Sequence, residues 1–288
     1  MNAIAARRAI QPARVATYAL LVIAALLYLV PIYLQLVTGL KSFQDVNITT
    51  MWRFPTRFGL GSFIKAWVGS PNQGMNGLAQ NFMNSIYITV PATLLSAFLG
   101  SLNGYVLSKW RFRGANVLFP LLLFGMFIPY QSILIPMVQV LERIGLYGTR
   151  GGLIFVHVVY GIPITTLIFR NYYAAIPDEL LEASKIDGAG ILGIYANILF
   201  PLSIPGFVVV MIWQFTSIWN DFLFGLIVTS SPDLQPITVA LNNLAGSYFV
   251  EWNVQMAGAL LAALPTLLIY IFLSRYFMRG LLAGSVKG

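Results

Sequence analysis

Six stretches of this chain run for 19 residues or more without an Asp, Glu, Lys or Arg: residues 15–40, 66–108, 114–141, 151–169, 188–220 and 252–274. A hydrocarbon layer about 30 Å thick takes about 20 residues of α-helix to cross. Inside it an unpaired backbone group is so costly that only α-helices and closed β-barrels span. Barrel strands alternate in polarity and need about ten residues, whereas these runs are continuous and twice that length. Their apolar centres place six helices at 15–38, 82–107, 117–140, 152–174, 205–228 and 255–277. A single large soluble core is the competing explanation, and composition decides against it. The chain is 58% hydrophobic and 9% charged, against about 45–50% and about 25% in soluble domains, too few charges to solvate a globular surface. A soluble enzyme is excluded, and the fold expected is an all-α integral membrane protein. Arg7, Arg8 and Arg14 precede the first run as in a signal peptide, but the run is too long and no small-x-small site follows it, so it reads as a retained span.

An even number of spans puts both termini on one side, and the Lys and Arg distribution selects that side. Eleven basic residues share the side of the termini: Arg7, Arg8, Arg14, Lys109, Arg111, Arg113, Arg170, Lys185, Arg275, Arg279 and Lys287. Six lie opposite: Lys41, Arg53, Arg57, Lys65, Arg143 and Arg150. Both termini are therefore expected in the cytoplasm, with 1–14 an N-terminal segment, 15–277 the transmembrane domain (core 82–277) and 278–288 a tail. A pI near 9.8 invites a nucleic-acid reading, but the basic residues sit at span ends, where they anchor against an anionic leaflet. No nucleic acid is needed as a partner. The chain has no Cys, which excludes disulfides, thiolate chemistry and Cys-based metal sites.

The longest polar connection, Lys41 to Asn81, carries Phe54-Pro55, Gly59, Gly61, Ser70-Pro71-Asn72 and Gly74 as turn signals and is expected outside. Prolines lie in or beside most spans: Pro31, Pro91, Pro120, Pro129, Pro136, Pro163, Pro201, Pro205 and Pro265. Each frees a carbonyl that neighbouring helices or a wet cavity must satisfy, so both a moving pathway and plain kinked packing fit them. Between the fourth and fifth spans, Pro177-Asp178-Glu179 is a helix start and Gly188 with Gly190 a helix end. The loop 176–204 is thus expected to hold a short cytoplasmic helix with four acids, Asp178, Glu179, Glu182 and Asp187. Small Ala183 and Ser184 would let another protein approach it closely. A helix lying on lipid is the alternative, which four acids beside an anionic leaflet oppose.

Glu182-Ala183-Ser184, Gly188, Ile198 and Phe200-Pro201 resemble the EAA loop of inner-membrane permeases of ATP-binding-cassette importers. Asp187-Gly188-Ala189 and Pro205 are similar to the sugar-transporting branch. Asn81-Phe82-x-Asn84-Ser85, Gly104-Tyr105, Trp219-Asn220 with Phe222, and the tail Arg279-Gly280-Leu281-x-x-Gly284-x-Val286-Lys287-Gly288 extend the resemblance over nearly the whole chain. The tail looks like that of the smaller permease subunit of the maltose type. Ser184 in place of Ala keeps the small volume; Phe200 replaces the usual Leu; Asn197 stands where many relatives have a basic residue. The resemblance implies a type I importer permease fold, a bacterial or archaeal cell membrane, a second permease subunit, two ATP-binding subunits and an extracytoplasmic sugar-binding protein. It implies that Glu182, Ala183, Ser184, Asp187, Gly188, Ala189 and Pro201 couple to the ATPase, and that Gly284, Val286, Lys287 and Gly288 reach toward it. The chain lacks a Gly-x-x-x-x-Gly-Lys-Ser/Thr phosphate cradle. ATP and Mg²⁺ are therefore expected on partner subunits, with no cofactor and no catalysis in this chain.

Within the spans, Asp221 is an intramembrane carboxylate. With Gln214, Trp219 and Asn220 it offers the stacking and hydrogen bonding that suit a sugar pathway; against this, it lies in the outer part of the span, where structural hydrogen bonding to a neighbouring loop or water is the stronger explanation. His157 stands without an acidic or Cys partner in helical register, so it is expected to be a core residue and not a metal ligand or proton relay. The thin set of intramembrane ionisable groups weighs against the alternative of an ion-coupled secondary transporter. An intramembrane enzyme lacks any nucleophile and base pair. Phe127-Ile128-Pro129-Tyr130-Gln131, Val156 to Gly161 and Phe169 to Tyr173 look most like permeases for glucose or related hexoses.

Overall fold

The computed structural model describes the backbone of residues 12–70, 72, 74–110, 112–244 and 250–285, and side chains within these from 13 to 273. Helix dominates. In chain order the helices are α1 (Pro12–Gly39), α2 (Gly61–Val68), α3 (Ala79–Lys109), α4 (Ala115–Phe124), α5 (Leu134–Arg143), α6 (Arg150–Ala174) and α7 (Asp178–Ile186). They continue as α8 (Ile191–Ile194), α9 (Phe200–Leu202), α10 (Ile204–Trp219), α11 (Leu223–Val228), α12 (Ile237–Asn243) and α13 (Trp252–Ser285). Two-residue strands, β1 (Gly69–Ser70) and β2 (Met75–Asn76), lie between α2 and α3.

Among the described residues, four helices are long and apolar enough to cross a membrane alone, within α1, α3, α6 and α13; two bent pairs bring the number to six if each is one span. The third and fifth expected spans therefore need correction. Residues 117–140 do not form one straight helix: Ala115–Phe127 and Tyr130–Arg143 meet at 94°. The cause is Pro129, which drives the residue before it out of the helical region; Ile128 is extended (φ −73°, ψ 121°). The fifth span starts earlier than 205, because helix begins at Ile191, turns by 76° at Ser203 and runs on to Trp219. It also stops earlier, with residues 220–222 separating α10 from α11. Pro201 has no N–H for the carbonyl four residues back, and its ring crowds that carbonyl. The backbone answers by widening to a π-turn over Tyr195–Leu199, where the Phe200 N–H bonds the Tyr195 carbonyl.

The chain forms two compact units. One comprises residues 1–75 and 245–261, the other 76–244 and 262–288. In the first, α1 is apolar on every side, with the consecutive Leu20, Leu21, Val22 and Ile23 all exposed, as lipid or another subunit requires and water does not. The connection after it is tied by polar groups. Lys41 is buried and donates to the Thr50 and Met51 carbonyls at 2.8 and 3.3 Å. Lys65 pairs with Glu251 at 2.6 Å.

The second unit is built on α3 against α6, its most extensive helix pairing. One cluster, around Tyr105, Phe169, Tyr173, Leu181, Ile194, Tyr195, Leu199 and Phe207, packs the ends of α3 and α6 against the segment 181–199. A second, around Ile88, Leu141, Leu153, Val156, Ile218, Phe224 and Val228, packs the other end. The candidate site residues fall beside these two clusters.

Candidate functional site

Helix α7 follows from its ends. Pro177 precedes it, Asp178 and Glu179 fill its first turn and Lys185 its last, in the order the helix dipole favours. It closes as a Schellman motif: Gly188 adopts φ +83°, its N–H bonds the Lys185 carbonyl at 3.0 Å, and the Ala189 N–H bonds the Ser184 carbonyl at 2.9 Å. No heavy atom lies within 4 Å of a Cβ placed on Gly188. Glycine is needed there for its backbone conformation, since an L side chain in that region costs about 1–2 kcal/mol.

A single side chain, Leu181, anchors α7 in the cluster with Tyr105, Tyr173 and Tyr195. Lys109 at the end of α3 fastens its start, donating to the Ile176 carbonyl at 2.5 Å and the Asp178 carboxylate at 2.6 Å. Lys185 lies 5.0 Å from the Trp110 ring. Glu179, Glu182, Ala183, Asp187 and Gly188 are exposed, together with Leu180 and Ile186. Ser184 is half-buried and its hydroxyl turns inward to the Leu180 carbonyl at 2.7 Å; Ala189 packs on the cluster edge. The outward face thus alternates acid and aliphatic on a helix whose other side is pinned. Pro201 is exposed on α9, just past the π-turn. Asn197 donates to the Gly193 carbonyl at 3.0 Å within its own helix.

Behind α7 runs a chain of buried hydroxyls that the sequence reading missed. Ser101 Oγ lies 2.9 Å from the Tyr195 hydroxyl and 2.5 Å from that of Tyr173, which donates to Ser203 Oγ at 3.2 Å. Ser203 donates in turn to the Phe200 carbonyl at 3.0 Å. Each hydroxyl has one proton to give, so the order Tyr195 to Ser101 to Tyr173 to Ser203 satisfies every donor. The chain joins α3, α6, the π-turn and the corner at Ser203. Only the spacing Gly100-x-x-x-Gly104, a signal of close helix approach, foretells that these elements meet.

Of the four candidate pathway residues, two come together. Gln214 and Asp221 line a cavity of about 220 Å³ with Met126, His157, Tyr160, Gly161, Ile164, Trp213, Ser217, Ile218 and Phe224. Gly161 lets Gln214 in, since a Cβ there would run into its amide. His157 acquires the acidic neighbour its own helix lacks, with Nε2 3.8 Å from Asp221 Oδ2, too far for a hydrogen bond. Asp221 also has a structural role, accepting the Gly225 N–H at 2.9 Å and the Phe224 N–H at 3.4 Å at the start of α11. The other two lie elsewhere. Trp219 is buried, stacks on Phe215 with ring centroids 5.6 Å apart and donates to the Ala262 carbonyl at 2.9 Å. Asn220 donates back to the Thr216 carbonyl at 2.9 Å. Of the tail residues, Gly284 falls in α13, and Val286, Lys287 and Gly288 lie outside the described residues.

Residues 92–282 match the family described as binding-protein-dependent transport system inner membrane component. The protein belongs to that permease family. A probable ABC transporter permease of Pyrococcus horikoshii is 45% identical over 98% of this chain and 100% of its own length. The xylose/arabinose import permease of Haloferax volcanii is 34% identical over 93% of this permease and 92% of itself. The glucose import system permease of Saccharolobus solfataricus is 32% identical over 94% and 95%. In fold, the permease resembles a chain of a bacterial ABC transporter that imports the acidic polysaccharide alginate, with TM-score 0.76, 21% identity, and 91% and 95% of the two chains covered. The all-α membrane architecture expected from the apolar runs is that of an ABC importer permease, and this protein is a transport component of the inner membrane.

Proposed function

We propose that this permease forms half of the translocation pathway of an ATP-driven sugar importer, paired with a second permease, two ATP-binding subunits and an extracytoplasmic sugar-binding protein. Glucose or a related sugar is the cargo, a reading supported by the sugar-importing relatives. Residues 15–277 form the transmembrane domain, and both termini face the cytoplasm. ATP and Mg²⁺ are held by the partner subunits.

The observation that carries this reading is the exposed face of α7: Glu182, Ala183 and Asp187 point outward on a helix anchored by Leu181 and Lys109. Seated in a groove on an ATPase subunit, such a helix moves with that subunit and carries α3 and α6 with it. Closure of the nucleotide dimer on ATP then shifts the permease from an inward- to an outward-facing state through differential affinity for the two. A full reversal, from 1:99 to 99:1, takes about 5.5 kcal/mol. The residues Gly284 to Gly288 are assigned to the ATPase interface.

The test is uptake of labelled glucose by the reconstituted transporter with ATP and binding protein. Glu182→Lys or Gly188→Leu is expected to reduce uptake to background while the chain inserts in the membrane at normal level. Normal uptake with either change removes this loop from the mechanism.

A further inference from the structure

We propose that the cavity between α6 and α10 binds one monosaccharide ring directly, through side chains of this subunit. This rests on the sugar-import reading above and adds to it where the ring sits and what holds it.

The first support is unmatched polarity. His157 and Gln214 are 6% and 4% exposed. The Gln214 amide nitrogen reaches the His157 carbonyl only at 3.5 Å, the outer limit of a hydrogen bond, and among the described residues nothing donates to its side-chain oxygen. The His157 imidazole Nε2 lies 3.8 Å from Asp221 Oδ2, beyond hydrogen-bond reach. Both residues line the cavity together with Asp221, so their polar groups share one space. Together they present a carboxylate acceptor, an amide that donates and accepts, and an imidazole that does both. That set suits neighbouring hydroxyl groups on a ring.

The walls supply the second support. Trp213, Tyr160 and Phe224 line the same cavity, and aromatic faces pack against apolar C–H surface while the polar groups take the ring edge. Its lining has the Asp221 carboxylate and no Lys or Arg, which disfavours an anion. A quaternary ammonium would suit Asp221 and the rings but would leave the Gln214 and His157 hydrogen bonds unmade. At about 220 Å³ the space is smaller than the roughly 300 Å³ at which pockets for drug-sized ligands begin, a scale that suits one ring.

Position is the third support. Met126 stands two residues before the bend at Ile128, and Asp221 lies in the break between α10 and α11. Non-helical backbone at membrane depth is tolerated where it lines a wet cavity, and interrupted helices of this kind frame transporter sites.

The experiment measures equilibrium binding of labelled D-glucose to the complete transporter in lipid nanodiscs without the binding protein. It is paired with uptake by the same complex when ATP and binding protein are added. The wild type is expected to bind glucose saturably. Gln214→Leu and Trp213→Ala are expected to weaken binding about tenfold or more. Trp213 is 54% exposed, so its replacement does not threaten folding, and Trp213→Phe should restore most of the affinity. Within a panel of deoxyglucoses, the analogue penalised most by the wild type should lose that penalty in Gln214→Leu. Wild-type affinity in both variants, or displacement of glucose by choline as effectively as by unlabelled glucose, would overturn the proposal while leaving sugar import intact. Absence of any sugar uptake by the wild type would overturn the import reading and this site with it.

Discussion

At Gly104 a single added methyl group would stand 2.7 Å from both the Arg170 amide nitrogen and the Phe169 Cβ, so α3 and α6 touch there backbone to backbone. Gly100, one turn earlier, faces Thr165 in the same way, and the Thr165 hydroxyl lies 3.0 Å from the Ser96 carbonyl across the pair and 2.9 Å from the Gly161 carbonyl of its own helix. In lipid no hydrophobic force draws helices together, so close packing of small residues and interhelical hydrogen bonds must do it. Gly104→Val is expected to separate the pair and cost about 1–3 kcal/mol. This would be read as a lower melting temperature and a smaller folded yield of the purified transporter, with Gly104→Ala intermediate. Unchanged melting would show that the crossing tolerates a wider spacing. The four-residue spacing of these glycines is legible in the sequence; their partner is not, because it arrives more than 60 residues later along the chain. The same holds for the cavity. Asp221 and Gln214 stand out as polar groups in an apolar run, but His157 and Tyr160 acquire meaning only when α6 is laid beside α10.

On the scale of elements, the hydroxyl chain links α3, α6, the π-turn and the Ser203 corner, and α7 joins them through Leu181 in the same apolar cluster. Tyr173 occupies its centre, holding Ser101 and Ser203 at 2.5 and 3.2 Å. Tyr173→Phe keeps the ring in its packing and removes only the hydroxyl, a change worth about 1–3 kcal/mol when buried partners are left unmatched. If displacement of α7 reaches the spans through this chain, the reconstituted variant will hydrolyse more ATP per sugar imported than the wild type. A lower melting temperature with an unchanged ratio would assign Tyr173 to stability alone. The ends of α7 were legible because local chemistry sets them: a proline and two acids at the start, a glycine with positive φ at the end. The bends were not. Pro31, Pro91, Pro163 and Pro265 lie inside helices that continue past them, whereas Pro129 and Pro201 accompany a sharp bend and a π-turn. Hydropathy reports that a segment is apolar but not where it turns, and whether a proline kinks or breaks a helix depends on what neighbours offer the carbonyl it frees.

For the whole molecule, the ion pairs bear on sidedness. Lys109 and Asp178, both expected in the cytoplasm, pair at 2.6 Å, and Lys65 and Glu251, both expected outside, pair at 2.6 Å. Neither pair joins residues assigned to opposite faces of the membrane. The chain contains no cysteine, so single Cys substitutions can be labelled with a membrane-impermeant maleimide against no background from this subunit. Ile48 and Ile186 are suitable positions, at 85% and 87% exposed, one in the connection after α1 and the other on the last turn of α7. Ile48→Cys is expected to react in right-side-out vesicles and Ile186→Cys only in inverted ones; the opposite pattern would reverse the topology. With the partner ATPase stripped, Ile186→Cys should label freely, and adding the ATPase back should slow its labelling severalfold while leaving Ile48→Cys unchanged. Protection at Ile186 would place the ATPase on the outward face of α7, and equal labelling with and without it would mean that the docking surface lies elsewhere on the cytoplasmic side.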